Sequence, residues 1–190
     1  MRRSALALVL AAVAVLPACG AGAREDVPFC LEQSKNDGLL ILFAQAVPTA
    51  TYVPCLSGLP AGWSFAGEDA RSGRASFWLD SDRAGPSALT VTLTRSCDVR
   101  GAVLVPSAPD EAGLQRYERP RSLPPHYVAT RFYVFPGGCV TYRFSFARGS
   151  SFGLAIEVSD AIEFFSRAEG AKLLAEHGFR LCGAGVTCPG

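Results

Sequence analysis

The chain has 190 residues, with 18 Lys and Arg against 17 Asp and Glu and a formal net charge of +1. That balance excludes the basic footprint of a nucleic-acid binder. A hydrophobic content of 49% with 10% aromatics excludes a disordered tether and suits a packed core.

Met1-Arg2-Arg3 is a short positive segment, and Ala5 to Leu16 is an apolar run too short to stay in a bilayer as a permanent span. Residues 1–18 therefore read as a secretory signal peptide. Arg2-Arg3 sits too close to Met1 for a twin-arginine signal. Leu16-Pro17-Ala18-Cys19 resembles a bacterial lipobox, with Pro17 a departure at its place. The resemblance implies a diacylglycerol on the Cys19 thiol and Cys19 as the mature N-terminus, which would anchor the protein to the outer face of the cell membrane. The competing cut follows Ala21-Gly22-Ala23 and would leave Arg24 first. Residues 19–27 then form a small, charged tether, and 28–190 a single α+β domain.

Leu39 to Ala44 is apolar on every side, which predicts a buried helix capped by Asp37 and stopped by Pro48, with a buried strand as the alternative. The period then changes to two. Thr51 to Cys55 is a candidate edge strand, weakened by Pro54. Trp63 to Gly67 and Ala75 to Asp80 flank the turn Arg71-Ser72-Gly73-Arg74. Ala88 to Arg95 is the clearest strand, with Leu89, Val91 and Leu93 on one face and Thr90, Thr92 and Thr94 on the other. Val103 to Val105 and Leu114 to Glu118 are weaker candidates. Tyr127 to Phe135 and Cys139 to Phe146 flank Pro136-Gly137-Gly138 as a hairpin.

Helical spacing follows. Leu154, Ala155, Val158, Ala161, Ile162 and Phe165 make one apolar stripe. Ser166 and Glu169 resemble a capping box for a second helix, which Gly178 closes. This order predicts one antiparallel sheet of about six strands with helices on one face, stabilised by disulfides.

Seven cysteines are present. With Cys19 assigned to the lipid, Cys30, Cys55, Cys97, Cys139, Cys182 and Cys188 remain, an even set that implies disulfides in an exported chain. Cys97 follows one strong strand and Cys139 opens another, so a Cys97–Cys139 bond is expected. Cys182 with Cys188 and Cys30 with Cys55 would complete the set. No pair has the spacing of a redox centre or a zinc site, and no cofactor is implied.

Gly149-Ser150-Ser151-Phe152-Gly153 matches the pattern of a nucleophile elbow, with Asp160 and His177 following. The preceding strands read as hairpins, not as a parallel sheet. Asp160 and His177 fall in predicted helices close by, so a serine hydroxyl capping the helix is the preferred expectation. Asp80-Ser81-Asp82 offers too few oxygens for calcium and reads as a turn. Trp63 and Trp78 read as packing residues. His177 beside Gly178 suits a helix C-terminus.

Arg116, Arg119 and Arg121 cluster with Tyr117 and Tyr127, and Arg131 and Arg143 lie on neighbouring strands. Together they form a candidate patch for phosphate or carboxylate groups, such as lipid headgroups or anionic wall polymers. Pairing with Glu118 and Asp110 is the simpler expectation.

The lipobox at Leu16 to Cys19, the shortage of lysine (Lys35 and Lys172 alone) and the cysteine-bearing sheet around Pro136-Gly137-Gly138-Cys139 resemble the small exported lipoproteins of GC-rich Gram-positive bacteria. That resemblance carries no particular activity. The expected function is a membrane-tethered, non-catalytic binding or accessory module. The alternatives are an exported hydrolase using Ser151 and a structural subunit docked on a membrane protein.

Overall fold

The structure of the protein is a computed structural model that describes residues 27–30, 38–106, 113–123, 126–147, 149–176 and 178–181. The expected signal peptide, Cys19, Cys182, Cys188, Asp37, Asp110 and His177 lie outside the described residues.

The first element is helix α1 (Gly38–Ala46), in place of the alternative strand. Its apolar surface goes inward at Leu39, Leu40, Phe43 and Ala44. Strand β1 (Tyr52–Leu56) follows, then β2 (Trp63–Arg71), β3 (Arg74–Ser81), β4 (Gly85–Thr94), β5 (Val103–Val105), β6 (Gln115–Ser122), β7 (Val128–Phe135) and β8 (Gly138–Ser145). Helix α2 (Gly153–Asp160), strand β9 (Ile162–Ser166) and helix α3 (Arg167–Glu176) complete the order.

The expected single sheet of about six strands is corrected here. There is a seven-stranded antiparallel sheet in the order β2-β3-β4-β8-β7-β6-β5, and a separate two-stranded ribbon of β1 with β9. The ribbon exists because the apolar stripe expected to be one helix through Phe165 breaks after Asp160. Ile162, Phe164 and Phe165 are β-branched or aromatic and favour an extended chain. They pair with β1 from Tyr52↔Ser166 to Leu56↔Ile162. A Cys30–Cys55 disulfide, with Cα atoms 5.0 Å apart, ties the ribbon to the segment before α1.

Alternation gives the large sheet two different faces. Phe77, Leu79, Leu89, Val91, Leu93, Val140, Tyr142 and Phe144 point inward and are fully buried. α1 packs on this face, with Phe43 stacked on Phe77 at 6.2 Å. The ribbon joins it through Phe164, 4.8 Å from the Tyr133 ring. α2 is seated there by buried Leu154, Ala155 and Val158. The β7–β8 turn uses Gly137 at φ +73°, where a Cβ would lie 1.9 Å from the Thr49 carbonyl oxygen. α3 ends as the sequence predicts at Gly178: its N–H donates to Ala175 O at 3.1 Å and Phe179 N–H to Leu174 O at 2.9 Å. That pair of bonds is a Schellman closure.

Candidate functional site: an arginine groove on the open face

The opposite face of the sheet carries no helix among the described residues. Its side chains fall into two rows running across the strands. One row is Gly67, Trp78, Thr90, Arg143, Thr130 and Arg119. The next is Asp69, Ser76, Thr92, Thr141, Phe132, Tyr117 and Leu104.

The chain leaving β4 folds back over one end of this face. A Cys97–Cys139 disulfide, with Cα atoms 5.8 Å apart, fixes it there. Between this segment and β6, β7 and β8 lies a concavity of about 400 Å³. Arg119, Arg121 and Arg143 line it, with Thr130, Thr141 and Phe132 between them.

The five arginines of the predicted patch do not converge, which corrects that expectation. Arg119, Arg121 and Arg143 line the groove. Arg116 and Arg131 sit on the core face, because β6 and β7 alternate. Arg131 is 6% exposed. Its Nε donates to Glu118 Oε1 at 2.8 Å and its guanidinium donates to Ser159 Oγ at 2.9 Å. Arg116 reaches the same Glu118 oxygen at 2.9 Å. Burial pulls the Arg131 pKa down, but Tyr133 and Glu118 outweigh it, and the net shift is upward. Expected pairing with Glu118 therefore holds for Arg116 and Arg131 and not for the groove arginines.

Within the groove, Arg119 is held by two contacts. Its guanidinium lies 5.0 Å from the centroid of the Phe132 ring and donates to the Arg100 carbonyl at 2.8 Å. Its Nε is buried without a hydrogen-bond partner among the described residues. Arg121 and Arg143 are exposed and have no carboxylate partner among the described residues. Asp98 also lines the groove, but Arg100 occupies it, with Nε at 2.9 Å and 3.0 Å and a terminal nitrogen at 2.6 Å from its oxygens. The hydrogen bonds from the Arg100 side chain and backbone, aided by the charge of Arg119, lower the Asp98 pKa to about 2. Asp98 therefore stays ionised and engaged at neutral pH, and the described lining of the groove carries net positive charge. Guanidinium forks match phosphate and carboxylate oxygens.

The other candidates are placed as follows. Ser151 Oγ accepts the Gly153 N–H at 3.2 Å at the start of α2, whose N-cap is Phe152. Ser150 Oγ donates to the backbone oxygens of Arg83 at 2.9 Å and Ala147 at 2.8 Å. Asp80 Oδ1 accepts the Ser87 N–H at 2.7 Å, and Asp82 lies 3.5 Å from the Arg83 guanidinium. Among the described residues no cluster of three or more His, Cys, Asp or Glu gathers, and no helix is long and apolar enough to cross a membrane. Trp63 is a core residue at 6% exposure. Trp78 is not: it lies half-buried on the open face. Its face follows from strand alternation once the hairpin is assigned, but the bulge opposite it has no signal beyond Gly67.

A second concavity of about 200 Å³, between α1 and α3, is lined by Leu40, Val53, Phe165, Leu174 and the buried Arg167. Arg167 donates to the Ala44 carbonyl at 2.6 Å, and burial lowers its pKa.

No protein-family model matches the chain, and no curated protein matches it. Among solved structures it is similar to a protein from Bacteroides thetaiotaomicron VPI-5482 solved at 1.50 Å, with 14% sequence identity and a TM-score of 0.33. The match covers 66% of this chain and 48% of the other, so the chain spans about half the length of that structure.

Proposed function

We propose that this protein is an exported, lipid-tethered module that binds an anionic group in the groove of Arg119, Arg121 and Arg143 and performs no catalysis. The observation carrying this reading is the groove itself. Among the described residues three arginines face one carboxylate, and that carboxylate is already engaged by Arg100. Arg119 is preorganised by Phe132 and the Arg100 carbonyl. Arg121 and Arg143 keep their forks available to oxygen acceptors. Preorganised donors bind more tightly because less freedom is lost on association. The Ser151 hydroxyl, engaged with the backbone at the start of α2, supports the non-catalytic part.

The lipid tether rests on Cys19 and the apolar run before it. A docked structural subunit is the second reading, supported by edge strand β5, where Val103 and Leu104 are 66% and 61% exposed.

The test is calorimetric titration of the full chain in detergent with inorganic phosphate. Arg143→Ala and Arg121→Ala each weaken binding by about tenfold, the loss expected for one charge-assisted hydrogen-bonding partner. Phosphate affinity unaffected by both substitutions rejects the groove as the binding site.

A further inference from the structure

We infer that the ligand of this face is an anionic oligosaccharide lying across the strands, with a sugar ring against Trp78 and its acid groups on Arg143 and Arg119. This rests on the groove being an anion site and adds the class of molecule that carries the anion.

The inference comes from the register. Trp78, Thr90, Arg143, Thr130 and Arg119 occupy successive strands in one row. Strands in a sheet are spaced by about 4.8 Å. The Trp78 and Arg143 backbones are therefore roughly 10 Å apart, with the indole leaning to the side away from Arg143, over Gly67, and the Arg143 and Arg119 backbones are about as far apart again. A small anion reaches one arginine pair and never the tryptophan. A ligand that uses the whole row is extended and carries a flat apolar surface at one end and acid groups further along.

The local structure of Trp78 fits a stacking role. Opposite it stands Gly67, where the β2–β3 register shifts. A Cβ on Gly67 would lie 2.6 Å from Trp78 Cζ2 and 3.0 Å from Cε2. The missing side chain lets the indole lie down against the backbone, so that it does not stand up from the sheet. A ring in that posture offers a surface for stacking. It does not offer the protruding wedge that would enter a bilayer. Alternation places Asp80 on the same face one pleat beyond Trp78. Its Oδ1 is engaged by the Ser87 N–H at 2.7 Å. A carboxylate at that end suits sugar hydroxyls, which donate hydrogen bonds, and disfavours an acid group there. Thr90 between Trp78 and Arg143 supplies a hydroxyl that both donates and accepts. Aromatic, threonine and arginine thus follow one another along the row, with the Asp80 carboxylate beside the aromatic end, as a chain of sugar rings with acid substituents would meet them.

The experiment titrates the full chain in detergent with three probes: a galacturonate oligomer, the uncharged galactose oligomer of the same length, and inorganic phosphate. Binding is read by calorimetry and by acrylamide quenching of tryptophan emission. The chain has two tryptophans. Trp63 is 6% exposed, so quenching reports Trp78. The galacturonate oligomer is expected to bind more tightly than either other probe and to shield Trp78 from acrylamide. Arg143→Ala weakens the oligomer and phosphate alike, by about tenfold. Trp78→Ala weakens the oligomer by roughly fivefold and leaves phosphate unchanged, and Trp78→Phe, which keeps a ring, recovers most of the loss. An oligomer that binds no tighter than phosphate and leaves Trp78 quenchable overturns the oligosaccharide, while the anion groove stands. If neither acidic probe responds to Arg143→Ala, the groove and the oligosaccharide fall together. Phosphatidylglycerol vesicles provide the last arm: vesicle binding without oligomer binding assigns the face to a membrane surface and overturns the inference.

Discussion

Removal of the Cys97–Cys139 disulfide, as Cys97→Ala/Cys139→Ala, tests the link between stability and the groove. The bond closes a sequence separation of 42 residues. Restricting the unfolded chain over a loop of that length stabilises the fold by about 4 kcal/mol at room temperature in the loop-entropy model. Residual structure in the denatured state makes this a ceiling. For a chain of this size, each kcal/mol moves the melting temperature by about 2–4 °C, so the midpoint should fall by roughly 8–16 °C. The same bond holds the segment whose Arg100 carbonyl accepts from Arg119 at 2.8 Å. Its loss should therefore weaken phosphate binding as well. Cys30→Ala/Cys55→Ala is the internal control. Its separation of 25 residues gives about 3.5 kcal/mol. That bond lies in the ribbon on the other side of the sheet, so anion binding should survive. Circular dichroism melts and phosphate titration of both variants decide the matter. A Cys97/Cys139 variant that melts within about 2 °C of the wild type refutes the entropic argument. One that melts early yet binds phosphate normally refutes the coupling to Arg119.

The remaining predictions are more local. Cys19→Ser should move the protein from the membrane fraction to the soluble fraction, since a lipid-modified cysteine would be the anchor; retention after a salt wash would place the anchor elsewhere. Ser151→Ala should cost about 1 kcal/mol, the value of a lost hydroxyl at a helix start, and the wild type should take no label from a fluorophosphonate probe. Labelling that vanishes in the variant would make Ser151 a nucleophile. Glu118→Ala should destabilise by about 3 kcal/mol in urea unfolding, because it leaves the buried Arg131 without its carboxylate; a loss below about 1 kcal/mol would mean that Ser159 and Tyr133 suffice. Asp98 should titrate at about 2 by NMR, through its bonds to Arg100. Because its folded pKa lies below the ordinary 3.8, any stabilisation from the pair is complete above 3.8 and is lost as pH falls through about 2. Arg100→Ala should return that titration toward 3.8.

The hairpins, the clear strand at β4 and the closing glycine of α3 are readable from the sequence because each depends on local chemistry: alternation, turn residues and a residue at positive φ. The ribbon is not readable in that way. Ile162 and Phe165 satisfy a helical stripe as well as a strand, and only the presence of β1 with an unpaired edge decides between them. The site divides along the same line. That arginines cluster in β6 to β8 is visible in the chain. Which of them share a surface depends on pairing register: Arg119 and Arg143 both oppose Thr130 in neighbouring strands, while Arg131 faces the core. The two tryptophans look equivalent in sequence, and the Gly67 bulge separates them in space.

Glu118 also bears on how β6 finds its place. β6 has no fully buried residue, so hydrophobic alternation selects its alignment only weakly. Charge supplies what apolar burial does not. In the native pairing Glu118 stands opposite Arg131. A slip of one residue would bring Tyr117 or Arg119 opposite it and turn the carboxylate toward solvent. A slip of two would restore the faces but set Arg116, a like charge, or Pro120 against the buried guanidinium. Each misalignment strands a desolvated cation, a penalty of several kcal/mol. The carboxylate thus acts as an address for the strand, rejecting neighbouring alignments more strongly than it rewards the correct one.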